Sequence, residues 1–289
     1  MHKTLLYPIL LLVLHAPAFA HPGIGIVRNS RGEIFHTDLK QVWKISPDGR
    51  KSLAVGNVHT HELYLDVADN LYGEHLWYEG EATNKWGYFV WKLHANGELE
   101  RLIPPRAGFR EDYRDFSFVR DGGGNMYWAD RNTPAAGGTA EIVIRQRAPD
   151  GTLSDLCQTH DFRDVRWMTC SAGGTVYLID AGDLRAVTPE GTVSTIARNL
   201  AQSHGNDRHS LMGLWLDHAE NVYVAVYSGR VVKKVNRAGA VAIVARSALP
   251  WSPTGGLTAP NGDLWLLENS VTNAVRVRQI RRDGTEKTY

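Results

Sequence analysis

Two histidines stand two residues apart in His59-Thr60-His61, and a carboxylate follows them at Glu62. On an extended segment, residues i and i+2 face the same way, so two imidazoles can converge on one point. Neutral imidazole binds zinc, copper or iron near pH 7 without any unusual pKa. His21 and His209 come to a similar height when the internal repeats are aligned, three residues above a shared ring of positions. His21, His59, His61 and His209 are therefore a candidate ligand set for a divalent metal (zinc, iron or copper, with calcium left open). Glu62 has the chemistry of a general base, and Arg166, on the ring itself, that of a stabiliser of developing negative charge. Such a set suits a hydrolase or lyase in which a metal polarises a carbonyl or activates water on a small oxygenated substrate. A second group lies in the stretch Glu74 to Gly87, read as a loop: Glu74, His75, Trp77 and Trp86 would form a substrate wall or lid. The same aromatics would serve equally as anchors of a packed loop.

The elements that would position these groups repeat six times. A turn ending in Gly recurs after a hydrophobic strand at Gly49, Gly97, Gly151, Gly191, Gly239 and Gly284, spaced by about 47 residues, within the range of propeller blades. A second turn is interleaved with it: Arg31-Gly32-Glu33, Asp69-Asn70, Gly124-Asn125, Gly174-Thr175, Glu220-Asn221 and Gly262-Asp263. Between the turns, short alternating runs of β-branched and aromatic residues read as strands, four per unit, with no convincing amphipathic helix. Six four-stranded antiparallel units close radially, which predicts an all-β, six-bladed β-propeller. Blades are expected at about 23–58, 59–108, 109–162, 163–202, 203–250 and 251–289, forming one domain over 21–289.

Aligning the second turns gives the ring Ile24, His61, Asp115, Arg166, Met212 and Thr254 around one end of the central channel. Seven histidines map to that face: His21, His36, His59, His61, His75, His204 and His209. The ends of the second strands supply Asp38, Asp130, Asp180 and Glu268, with His75 in the equivalent place of the second unit. Acids there are expected to bond turn amides. Arg163 and Arg166 are interleaved with Asp161 and Asp164; such arginines could receive an anionic substrate or pair with those acids, and pairing is expected except for Arg166 on the ring itself.

Composition narrows the classes. The first 20 residues read as a signal peptide, with an apolar run Leu5 to Leu14 and Ala18-Phe19-Ala20 before a cleavage point. The mature chain would then be exported, to periplasm or medium, and no later run approaches the roughly 20 apolar residues of a transmembrane helix. A net charge of +1 with no basic stripe argues against nucleic acid as a partner. Cys157 and Cys170 fall on an outermost and an innermost strand of successive units, too far apart for a disulfide.

The pattern of Met212-Gly213-Leu214-Trp215-Leu216-Asp217 leading to Asn221-Val222-Tyr223-Val224 resembles the NHL repeat and covers essentially the whole mature chain. It is similar to propellers of gluconolactonase-type lactonases, regucalcin-like proteins, the peptidyl-amidating lyase and streptogramin lyases. The resemblance implies a lactonase-like or lyase activity with a divalent metal. The lactonase pattern places a metal-binding Glu at the start of an inner strand, for which only Glu62 is comparable here. His59 and His61 depart from it and are nearer the zinc-binding histidines of the amidating lyase.

Two other classes stay open on the sequence. The propeller could be a platform without chemistry, binding a protein, peptide or glycan through the aromatics of its upper face. A free α-amine at His21 after cleavage would also resemble the histidine brace of copper proteins, with His59, His61 or His209 as the third donor.

Overall fold

The computed structural model describes residues 22–79, 85–108, 115–132, 141–201 and 210–289, and everything regular in it is β-strand. Five four-stranded antiparallel sheets and one with three described strands follow one another along the chain, each meandering in sequence order. Blade one runs from Ile26–Arg28 to Lys51–Val55, blade two from Leu63–Leu65 to Leu99–Ala107, and blade three has Met126–Asn132, Glu141–Arg147 and Leu153–Thr159. Blades four, five and six span Val165–Ala197, Leu214–Arg246 and Trp251–Thr288. The fold is a six-bladed β-propeller.

The two turn signals explain why the chain folds this way. All six glycines of the third-to-fourth-strand turn have positive φ, between 82° and 92°. So do the six residues at the matching place between first and second strands, where Asp69 and Glu220 take φ of 61° and 56° in place of glycine. Each donates its N–H to the carbonyl three residues earlier, as in Gly49 to Ser46 and Glu220 to Asp217. This turn followed by a left-handed residue is a common way to close a short hairpin.

Packing follows from the radial arrangement. Six separate apolar clusters fill the six gaps between neighbouring blades. The ring closes through one of them: Ile26, Ile34 and Ile45 of blade one against Leu267 and Val277 of blade six. Each of these two blades is built from its own consecutive stretch of chain, so side chains rather than a shared strand seal the join. Near the axis the backbones approach closely. A Cβ on Gly255 would lie 2.2 Å from the carbonyl oxygen of Ile24, so only glycine fits there. The inner strands leave a channel of about 500 Å³ lined by all six blades.

Cys157 and Cys170 are both free thiols, on the outermost strand of blade three and the first strand of blade four. The stretch read as a loop from Glu74 to Gly87 is mostly paired strand. Leu71–Tyr78 and Trp86–Leu93 run as one long hairpin in register from Leu71↔Leu93 to Tyr78↔Trp86. Its alternating aromatics satisfy a β-ladder, which a loop assignment overlooked. No helix among the described residues is long and apolar enough to cross a membrane.

Candidate functional site

The segment leading into blade two is fixed by its middle residue. Thr60 is fully buried; its Oγ1 donates to the Glu74 carbonyl at 2.5 Å, and its own carbonyl accepts from Thr37 Oγ1 at 2.6 Å. Trp91 Nε1 donates to the same Glu74 carbonyl at 3.1 Å. With Thr60 pointing inward, His59 and His61 emerge on the other side of the strand. The His61 carbonyl accepts from the N–H groups of Ile24 and Gly25, at 2.9 and 2.8 Å, tying the segment to the start of blade one.

The two imidazoles meet. Their Nε2 atoms are 3.4 Å apart, with ring centroids 4.7 Å apart and planes tilted by 42°. Two nitrogens each about 2.0–2.1 Å from a tetrahedral zinc stand about 3.3–3.4 Å apart, so this spacing already fits a shared ion. The same spacing fits a hydrogen bond between one protonated and one bare ring nitrogen.

Behind His61 lies a carboxylate. Glu74 is 2% exposed, its Oε1 accepts the His61 main-chain N–H at 2.9 Å, and the same oxygen stands 3.6 Å from His61 Nδ1. That second distance is an electrostatic contact rather than a hydrogen bond. A carboxylate behind the far nitrogen of a histidine is the usual support of a metal-binding imidazole. Burial, then the neighbouring His61, pushes the pKa of His59 below its ordinary value, against a smaller upward pull from Glu74. His59 is thus neutral at neutral pH, the form a ligand requires.

His75 sits beneath this pair rather than in a wall over it. Its Nδ1 accepts the His59 main-chain N–H at 3.0 Å, and its ring stacks on Phe89 at 4.8 Å. Burial, followed by the charge of Arg101, lowers its pKa, consistent with the bare nitrogen that accepting requires. Trp77 lies flat over Gly87, where a Cβ would come within 1.6 Å of its ring. Trp86 stacks on Tyr78 at 4.0 Å, and both are exposed.

Glu62 faces away from His61, as neighbours on a strand must, and lines the central channel. Arg166 is held side-on by Asp164, with Nε and Nη2 each 2.7 Å from Oδ2, so the expected pairing covers it too. Arg163 turns to Asp183, at 2.8 Å, and to Asp180 rather than to Asp161. His36, placed on the upper face by alignment, is instead fully buried in the core of blade one, with neither ring nitrogen hydrogen-bonded. His21, His204 and His209 lie outside the described residues, so of the four proposed ligands only His59 and His61 can be placed. Among the described residues no cluster of three or more His, Cys, Asp or Glu side chains has metal-binding geometry.

Sequence reasoning assigned Glu74 to a wall and missed its place behind His61. The blades carried a signal for it. At this position of the second strand the column reads Thr37, Glu74, Ala129, Ile179, Ala225 and Leu267. One acid in a small or apolar column marks a buried carboxylate with a specific task.

No protein-family model matches the chain, and no curated protein sequence matches it either. Solved structures do. A gluconolactonase from Xanthomonas campestris is 13% identical over 87% of this chain and 83% of its own, with a TM-score of 0.56. A luciferin-regenerating enzyme is 12% identical over 88% and 85%, with a TM-score of 0.56. A calcium-binding regucalcin from Agrobacterium tumefaciens is 14% identical over 85% and 81%, with a TM-score of 0.52. The likeness is one of fold. At such identities it shows the six-bladed propeller and assigns no activity.

Proposed function

We propose that the protein is an exported, metal-dependent hydrolase or lyase acting on a small oxygenated substrate beside the start of the central channel. The observation that carries this reading is the 3.4 Å separation of His59 Nε2 and His61 Nε2, with Glu74 set behind the second ring. His21 and His209 are assigned as the remaining donors. A divalent ion held there supplies Lewis acidity toward a carbonyl oxygen, or a water of lowered pKa. Glu74 orients His61 and keeps its Nδ1 side protonated. Glu62 faces the channel and not the two imidazoles, so it serves as base for a substrate that extends from the ion into the channel mouth. Arg166 offers the substrate only the Nη1 edge that Asp164 leaves over, so its part is the lesser one. Gluconolactonase and regucalcin among the similar folds make a lactone and a calcium ion reasonable first trials, by analogy of fold alone.

The test is metal content by mass spectrometry on signal-cleaved protein from the exported fraction. Close to one zinc, iron or copper per chain is expected, falling to background in the double variant His59→Ala/His61→Ala. Unchanged metal content in that variant ends the reading. Copper retained after an extra residue is placed before His21 would exclude the histidine brace.

One observation favours a second reading, a platform that binds a peptide or glycan without chemistry. The stacked pair Tyr78 and Trp86 is exposed at the tip of the long hairpin of blade two. That reading predicts no stoichiometric metal, and loss of ligand capture in Trp86→Ala.

A further inference from the structure

The segment that leads into blade two is held by the same device as its counterpart in blade four, with one side chain exchanged. In blade four Asp180 Oδ1 accepts the main-chain N–H groups of Arg163 and Asp164, at 2.7 and 2.8 Å. The next residue, Ala181, donates its N–H to the Asp164 carbonyl at 3.1 Å. Blade two repeats the second bond, from Leu76 N–H to the His59 carbonyl at 3.0 Å, so His59 stands where Asp164 does and His75 where Asp180 does. Val58 then corresponds to Arg163, and its N–H goes to the Lys40 carbonyl of blade one at 3.1 Å. One N–H is left for the side chain at 75 to hold, that of His59, and the single lone pair of a neutral imidazole suffices. His75 Nδ1 accepts it at 3.0 Å.

The consequence reaches the two imidazoles. Residues 75 and 76 hold the N–H and the carbonyl of His59, while Glu74 Oε1 holds the N–H of His61 at 2.9 Å. Three consecutive residues of one strand therefore fix the backbone beneath both rings, whose Nε2 atoms stand 3.4 Å apart. Metal–ligand distances tolerate only about ±0.2 Å, so a site of this kind depends on where its backbone is pinned.

His75 is itself supported. Its ring stacks on Phe89, with centroids 4.8 Å apart and planes at 14°, and Arg101 lies over the same Phe89 ring at 4.9 Å. These three residues come from successive strands, Leu71–Tyr78, Trp86–Leu93 and Leu99–Ala107. Packing and hydrogen bonding both pass through the one side chain, and they can be separated by substitution.

We propose that His75 is a positioning residue of the histidine site: the bond from the His59 N–H to its Nδ1 sets the spacing of the two imidazoles, and its stack on Phe89 only holds the acceptor in place. The effect on metal binding rests on the metal-dependent reading above; the effect on spacing does not.

The test compares wild type, His75→Asn and His75→Phe, each as a metal-free crystal structure and by zinc affinity in competition with a chromophoric chelator. Asn carries an acceptor near the place of Nδ1 and loses the ring, whereas Phe keeps a ring against Phe89 and has no acceptor. In His75→Asn the His59–His61 Nε2 separation should stay within about 0.5 Å of the wild type, and in His75→Phe it should change by about 1 Å or more. Zinc affinity should stay within about threefold in His75→Asn. It should fall about tenfold or more in His75→Phe. His75→Leu, which also lacks an acceptor, replaces His75→Phe if the larger ring prevents folding. The proposal is overturned if the acceptor-free variant keeps the wild-type spacing or the wild-type zinc affinity, or if His75→Asn loses the spacing. Should the wild type itself bind no zinc, the metal reading fails, and the metal-free spacings still decide the role of His75.

Discussion

Blades two and six use the end of the second strand in opposite ways. In blade six Glu268 is fully buried and wholly engaged: Ser247 Oγ donates at 2.5 Å, Arg276 Nε at 2.6 Å and Arg278 Nε at 3.1 Å. Blade four follows the same plan, with Asp180 accepting the main-chain N–H groups of Arg163 and Asp164, at 2.7 and 2.8 Å, and a contact from Arg185. These acids fasten the segment that leads into the blade. In blade two His75 stands in that place and fastens the segment with a single bond to the His59 N–H. A neutral imidazole offers one lone pair and no charge, so the arginine clamp of blade six has no counterpart here. The carboxylate has moved one residue back, to Glu74, where it faces His61 instead. The repeat's fastening has been traded for a pair of converging histidines, and this is what a functional site inside a structural repeat should look like.

The largest expected effect breaks the blade-six side of that contrast. Glu268→Ala leaves Arg276 and Arg278 without their shared carboxylate in a buried setting, which should cost about 3–5 kcal/mol. Urea unfolding followed by tryptophan fluorescence reads it directly. A loss below about 1 kcal/mol would mean the clamp is not what holds blades five and six together.

Glu74→Gln tests the blade-two side. The amide oxygen can still accept the His61 N–H, so stability should stay within about 1 kcal/mol of the wild type. Metal affinity should fall about 10- to 100-fold, since the charge that supports the His61 ring is gone. Competition with a chromophoric chelator measures it. If instead Glu74→Gln unfolds as readily as Glu268→Ala, both carboxylates are fastenings and the contrast disappears.

Much of this was legible in the sequence, and the reason is geometric. All twelve left-handed turn positions could be read as two interleaved series, because a backbone of positive φ selects glycine, or a turn-forming residue such as Asp69. The pair His59-Thr60-His61 was legible because strand alternation is local. What stayed hidden was non-local. The register that sets Glu74 behind His61 depends on the pairing of two strands with a lead-in segment. His36 shows the same limit from the other side. Alignment put it on the upper face, whereas the core column His36, Gly73, Trp128, Leu178, Val224 and Leu266 shows a histidine buried where other blades bury apolar groups or glycine.

That histidine gives a pH prediction. Burial pushes its pKa from the usual 6.5 down to about 3. The unfolded chain takes up a proton at this ring below about pH 6.5, while the folded chain takes it up only near 3. Stability should therefore be full above pH 6.5 and decline as the pH falls toward 3, by about 1.4 kcal/mol per unit from this residue. In His36→Leu that term is absent. Relative to pH 7.5, the variant at pH 5 should retain about 2 kcal/mol more of its stability than the wild type does. Parallel pH profiles for the two proteins would show that His36 is protonated in the fold and that its burial does not set the acid limb.

The smallest effect concerns the tip of blade two's long hairpin, where exposure argues against a large energetic role. Trp86 is exposed and its stack with Tyr78 faces solvent on one side. Removing an aromatic pair of this kind costs about 0.5–1.5 kcal/mol beyond area, and less where water already reaches it. Trp77 differs, because Gly87 leaves room for its ring to lie against the backbone; Gly87→Ala should displace that ring and disturb the hairpin more than loss of Trp86 does. Thermal melts of Trp86→Ala and Gly87→Ala should therefore rank in that order, the first within about 1 kcal/mol of the wild type. If Trp86→Ala proves the more damaging, the exposed stack is a structural brace for the hairpin, and its availability to a ligand loses its main support. If the order holds while substrate turnover or peptide capture falls in Trp86→Ala, the tip works on something outside the chain, and the hairpin's extra length over its counterparts in blades one, four and five is explained by that contact.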